Sequence, residues 1–129
     1  MKPETAAWVA KAEGDFRTAK REIAALDLPN FDAVCFHAQQ CAEKYLKARL
    51  VEAGMPFPKV HDLTALLRLV LPMEPSWVFL EKSLDLLTSM GVEVRYPGVA
   101  ADMEDATEAV RLVTQVRDTL RRALVPKEE

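Results

Sequence analysis

Apolar residues recur every three or four positions through most of the chain, the spacing that lines one face of an α-helix. Trp8, Ala12, Phe16, Ala19, Ile23 and Leu26 form the first such row. Pro3, Glu4 and Thr5 carry start signals and Asp27-Leu28-Pro29-Asn30 ends the pattern, so a helix is predicted over 5–26. A second row (Phe31, Val34, Cys35, Ala38, Ala42, Tyr45, Leu46, Arg49) predicts a helix from Asp32 to Ala53, stopped by Gly54 with Pro56 and Pro58 beyond. Two helices of about 22 residues joined by a four-residue loop must run antiparallel. A shorter helix is expected over 61–71, then a break at Pro72–Pro75. A fourth follows over 76–89, with Ser76 as N-cap. Gly91, Pro97 and Gly98 mark 90–101 as irregular. The last helix is expected over 102–124, with Met103, Ala106, Val110, Val113, Leu120 and Leu124 on its apolar face. The expected fold is all-α, an up-and-down bundle of about five helices forming a single domain over 1–129, with two long antiparallel helices at its N-terminal end.

Composition agrees with this. The chain has 129 residues, 50% of them apolar and 29% charged, and only four glycines, which suits helices better than tight-turned strands. A net charge of −3 argues against broad, charge-driven binding to a nucleic-acid backbone, while leaving room for a local basic pocket. Cys35 and Cys41 sit six residues apart on one predicted helix, about 120° round its axis, which disfavours a disulfide between them. The first residues have no apolar segment of signal-peptide type, and no apolar run is long enough to span a membrane. A reduced, cytoplasmic protein is expected.

One stretch is distinctive. Cys35-Phe36-His37-Ala38-Gln39-Gln40-Cys41-Ala42-Glu43-Lys44-Tyr45-Leu46-Lys47-Ala48 is followed by His61-Asp62-Leu63 and later by Arg95-Tyr96-Pro97, with Trp8 and Asp15 upstream. In order and spacing these residues resemble the HEPN domain family, over nearly the whole chain. The resemblance implies a bundle of about five helices, often a homodimer. It also implies a small nucleotidyltransferase as partner, in a two-component or toxin–antitoxin pair, and a family name that reflects proposed nucleotide binding. Many relatives are RNases carrying an Arg, four to six residues, then a His. Here Arg95 is followed at those offsets by Ala100, Ala101 and Asp102, and the chain's histidines are His37 and His61. The motif is absent, so no catalytic residue is assigned.

The residues themselves suggest where chemistry could lie. His37, Cys41, Lys44 and Ala48 share one edge of the second helix. His37 and Cys41 are two ligands at most for a metal unless His61 joins them, and neither a metal nor a cofactor is expected. Asp15 lies near the apolar face of the first helix, where a carboxylate needs a partner; Lys44, Arg117 and Arg95 are candidates. Such a cluster is either a structural ion pair or one wall of a polar pocket. Pro97 holds Tyr96 extended, so Arg95 could grip a phosphate while Tyr96 stacks on a base, or both could simply pin the loop. His61-Asp62 reads as a helix cap or as a general base beside a carboxylate. Phe36 among Gln39, Gln40, Glu43 and Lys47 suggests an outer face open to a partner. Trp77-Val78-Phe79 cannot all turn inward, for which homodimerisation is the economical explanation.

The expectation is a binding module for a nucleotide or RNA, contacting it through Asp15, His37, Lys44, Arg95 and Tyr96. One alternative is an RNase with a displaced site using His37 or His61 with Arg95. Another is an interaction domain without a ligand.

Overall fold

Asn30 opens the helix around which the rest is built. Its side chain accepts a hydrogen bond from Ala33 N at 3.0 Å, capping α2, Phe31–Glu52. The computed structural model describes residues 1–94 and 96–125. Before α2 comes α1, Pro3–Ile23, and after it α3, Leu63–Val70. A 3-10 turn at Pro75–Leu80 leads into α4, Glu81–Glu93, and α5 spans Met103–Leu124. The all-α bundle expected from the pattern is present.

The long helix α2 is the hub: α1 covers it along most of its length, and α3, α4 and α5 close the other sides. Its buried residues therefore run almost all the way round, from Val34, Cys35 and Ala38 to Tyr45, Leu46 and Leu50. Leucines from α3, α4 and α5, among them Leu66, Leu67, Leu84, Leu87 and Leu120, complete the core. Burying each contributes roughly 1.5–3 kcal/mol. Cys35 and Cys41 are both buried free thiols.

Several boundaries move, each for a local reason. The first helix ends at Ile23, leaving Leu26 fully exposed and Leu28 in the left-handed region with φ 43° in the loop. Asp62, not His61, starts α3: its carboxylate accepts from Thr64 N at 3.0 Å, the capping arrangement. Ser76 is not a cap, because Pro75–Leu80 winds as a 3-10 turn before α4 begins. The stretch over 90–93 is helical, with Gly91 buried inside α4 rather than ending it. A methyl group at 91 would lie 2.6 Å from Gln39 Cβ, so this glycine lets α4 approach α2 closely. At the next junction Asp102 and Asp105 form a reciprocal capping box. Just before it, Ala101 N donates to Asp32 Oδ1 at 2.7 Å, tying the α4–α5 connection to the start of α2.

Gln39, Glu43 and Lys47 do not form an outer face. They are 2%, 3% and 9% exposed, so the partner surface expected around Phe36 is not there. The pattern of one apolar row assumes a helix with a free back, whereas α2 is enclosed.

Candidate functional site

Among the described residues, three clusters of charged and polar side chains, together with an Arg49–Glu74 ion pair, hold α2 to its neighbours. In the first, Asp15 of α1 is 9% exposed and holds two residues of α2. His37 Nδ1 lies 2.8 Å from Asp15 Oδ1, and Lys44 Nζ donates to Asp15 Oδ2 at 2.5 Å. His37 and Lys44 lie seven residues apart, two turns of helix, so they project from one side of α2 onto a single carboxylate. The carboxylate's two oxygens are each engaged, which offsets the cost of placing it between helices. Both partners reach solvent, with side chains 30% and 24% exposed.

Beside Lys44 runs an open groove of about 490 Å³, lined by Glu4, Ala7, Trp8 and Lys11 of α1. Its walls are largely the apolar parts of Ala7 and Trp8, with Lys11 and Lys44 as cations. Trp8 also packs edge-on against Phe57, and Lys47 sits 5.7 Å from the indole centroid.

The second cluster joins α1, α2 and α5. Arg117 forks onto Glu13 with two hydrogen bonds of 2.7 Å, Tyr45 Oη donates to Glu13 at 2.5 Å, and Arg121 stands 3.4 Å from the same carboxylate. The guanidinium hydrogen bonds hold the Glu13 carboxyl below its ordinary range, against the opposing effect of burial. The same carboxylate raises the Arg117 pKa. Arg117 also lies 4.5 Å from the centroid of the Phe16 ring. Arg117, one of the partners expected for Asp15, is thus committed to Glu13. The two acids are two residues apart on α1 and point about 160° apart.

The third cluster lies where the helical pattern predicts an open surface. Buried Glu43 accepts from Lys47 Nζ at 3.1 Å and lies 2.9 Å from His61 Nδ1, while Gln39 Nε2 donates to the His61 carbonyl at 3.1 Å. It fastens the loop before α3 onto α2. Two signals could have found it: Glu43 and Lys47 are spaced i,i+4, and a histidine follows after a short loop.

Of the five expected ligand-contacting residues, the fold brings Asp15, His37 and Lys44 together. Tyr96 lies at the α4–α5 connection with its side chain 63% exposed, and no hydrogen bond among the described residues links that side chain to the Asp15 cluster. Arg95 lies outside the described residues. Among the described residues, no helix is long and apolar enough to cross a membrane.

The model of the HEPN domain matches residues 5–123. The chain belongs to the HEPN family. The structure of TT1696 from Thermus thermophilus is similar with a TM-score of 0.83 at 20% identity, over 95% of this chain and 100% of that one. That of ST0689, an archaeal HEPN homologue, is similar with a TM-score of 0.72 at 23% identity, over 95% of this chain and 98% of that one. At such identities the likeness shows the fold alone. A comparison with curated proteins gives no match. In this HEPN domain the motif residues His37, Glu43, Lys44 and Lys47 all sit on the central helix: His37 and Lys44 reach Asp15 of α1, Glu43 reaches His61 in the loop before α3, and Lys47 pairs with Glu43 within the helix.

Proposed function

We propose that this HEPN protein is a binding module for a nucleotide or RNA, a cytoplasmic homodimer working beside a small nucleotidyltransferase in a two-component or toxin–antitoxin-like pair. The observation that carries the ligand is the Asp15–His37–Lys44 cluster at the edge of the Trp8 groove. Asp15 fixes both partners in place, yet each keeps a face toward solvent. Lys44 is a point charge that can share itself between Asp15 and a phosphate, with Lys11 as a second cation and Glu4 as an anion in the groove lining. Trp8 offers apolar surface for a base. Tyr96 and Arg95 are proposed as a further contact for a ligand longer than one nucleotide. With a net charge of −3, binding rests on this local arrangement rather than on the field of the whole protein.

Thermal melting with ATP, GTP and short single-stranded RNA tests this. A ligand at a hundredfold excess over its Kd stabilises the folded state by about 2.7 kcal/mol, a readable rise in Tm. Lys11→Ala removes a groove cation without touching the ion pairs of the cluster, so it should keep the unliganded Tm and reduce the rise; Lys44→Gln should abolish it. If none of the three ligands moves the wild-type Tm, the binding reading is lost and an interaction domain without ligand takes its place.

A second reading, an RNase with a displaced site, draws on the histidines. His37 and His61 each present Nδ1 to a carboxylate, the arrangement that leaves Nε2 for proton transfer. It requires metal-independent cleavage of labelled RNA that disappears in His37→Ala or His61→Ala.

A further inference from the structure

Trp8 and Glu4 belong to two grooves, not one. Beyond the groove that carries Lys11 and Lys44 lies a second open depression of about 510 Å³, whose lining adds Lys2, Gly54 and Phe57. Glu4, Trp8 and Lys11 follow one another at steps of four and three along α1, which keeps them on one line of that helix. The aromatic rings are held from within. Lys47, 9% exposed, lies 5.7 Å from the centroids of both Trp8 and Phe57 and donates to buried Glu43 at 3.1 Å. The indole shared by the two grooves is therefore fixed before any ligand arrives.

The charges on the joined grooves run cation, anion, cation: Lys11 and Lys44 in the first, Glu4 where the two meet, Lys2 in the second. A nucleotide with a single phosphate would use one end of this order and leave Lys2 idle. A ribonucleotide carrying phosphate on both its 5′ and 3′ oxygens matches all of it, with a phosphate toward each end, ribose between them and the base on Trp8. The Lys2 ammonium has donors to spare, since it makes one long contact, 3.4 Å to the Val51 carbonyl. Lys2 and Lys11 are nine residues apart, roughly 13 Å along the axis, a gap that two flexible four-carbon stems can close onto phosphates one nucleotide apart. Glu52 is taken up by the main-chain N–H of Lys2 and the hydroxyl of Thr5, whereas Glu4 has no ion pair among the described residues. A free carboxylate at that point repels phosphate but accepts from a 2′-hydroxyl, the group that tells RNA from DNA. We infer that the two grooves form one site for a ribonucleotide unit phosphorylated on both sides, with Glu4 selecting ribose over deoxyribose. The inference rests on the binding reading proposed above and deepens it by naming the chemistry of the ligand. That chemistry belongs both to a free nucleoside 3′,5′-bisphosphate and to an internal unit of an RNA strand.

Calorimetric titration of the full chain decides it, with adenosine 5′-monophosphate, adenosine 3′,5′-bisphosphate and the 2′-deoxy form of the bisphosphate. The bisphosphate should bind on the order of tenfold more tightly than the monophosphate, and the deoxy form should lose on the order of tenfold. Lys2→Ala should bring the bisphosphate down to the monophosphate's affinity and leave the monophosphate unchanged. Glu4→Ala should make the ribo and deoxy bisphosphates bind alike. Both side chains are exposed, so the variants should keep the wild-type melting curve in the absence of ligand. Titration with a trinucleotide of RNA separates the two sources: a strand that binds with the same dependence on Lys2 and Glu4 assigns the site to RNA, and one that does not bind assigns it to the free bisphosphate. A bisphosphate no tighter than the monophosphate, or a Lys2→Ala protein that still prefers it, would overturn the two-phosphate site while sparing the binding reading. Equal affinity of wild type for ribo and deoxy forms would overturn the role of Glu4. If no nucleotide and no RNA binds at all, the binding reading itself falls and this inference with it.

Discussion

Replacing Gly91 by alanine adds one methyl group, and the structure says it has nowhere to go. The new carbon would stand 2.6 Å from Gln39 Cβ and 2.7 Å from Gln39 Cγ, well inside van der Waals contact. Gln39 Cβ is fixed to the α2 backbone, so swinging the side chain away relieves only part of the clash. The amide end is also committed, donating to the His61 carbonyl at 3.1 Å and accepting from Gln40 at 2.8 Å. Separating α4 from α2 would open contacts along the Leu84–Leu87 face. In a helix interior alanine gains about 1 kcal/mol over glycine, whereas overpacking a tight contact costs about 1–3 kcal/mol. Disturbing the Gln39 hydrogen bonds adds about 1 kcal/mol more. The net expectation for Gly91→Ala is a loss of about 1–3 kcal/mol, a fall in Tm of several degrees. Gly14→Ala is the control. There the added carbon meets only the end of Arg17, at 3.9 Å, so the helical gain should stand alone and raise stability by about 0.5–1 kcal/mol. Urea denaturation of both variants gives the two free energies directly. A Gly91→Ala protein as stable as wild type would mean that α4 does not approach α2 as described.

Two further expectations concern titrating groups. Glu13→Gln should cost about 1.5–3 kcal/mol at neutral pH, because Arg117 and Tyr45 lose their charged acceptor. The folded-state pKa of Glu13 is lowered, so its contribution is complete above the unfolded value and is lost as pH falls through the folded one. Denaturation curves of variant and wild type should therefore converge in acid; a difference unchanged from neutral pH to strong acid would refute the assignment. Burial pushes the Cys35 thiol up to about 11 and raises that of Cys41 as well. Alkylation at mildly alkaline pH should thus leave both untouched in the folded protein and modify both in denaturant. Prompt labelling of the native chain would contradict the packing of α2.

Much of this is legible in the chain, and the exceptions share a cause. Helix rows and stop signals locate α1, α2 and α5 to within a few residues, since Gly54, with φ 70°, and Asp102 act locally. Asp15 stands out as a carboxylate on an apolar face, and Lys44 is among the partners its position allows. The choice between Lys44 and Arg117 is not legible, because it depends on how α5 lies against α1, and no local pattern encodes that angle. Glu43 and Lys47 are misplaced by the pattern for a related reason. A helical wheel assigns polar residues to solvent, and it fails for a helix enclosed on every side. Gly91 reads as a break because a glycine that ends a helix and one that admits a neighbouring helix look alike until the neighbour is known.

The enclosure of α2 explains why a motif so rich in charge lies at the centre of a bundle. An apolar hub would pack against four neighbours in many rotations and registers of similar energy. Here Asp15, Glu13 and Glu74 accept from Lys44, Tyr45 and Arg49 of α2, and Glu43 of α2 meets His61 in the loop before α3. Any rotation of α2 would strand several partly buried charges at once, at a cost of several kcal/mol each. The ion pairs therefore select one arrangement more than they add to stability, and they do so asymmetrically. Glu13 is bonded by Tyr45 and two arginines, whereas Asp15 and Glu43, both more deeply buried than Glu13, each lie behind a partly exposed histidine. A carboxylate behind an imidazole is the part of such a lattice that can exchange a partner with solvent. On the binding reading proposed above, the ligand is therefore to be sought first on the His37 side of α2, since the Glu13 carboxylate is already held by Arg117, Arg121 and Tyr45.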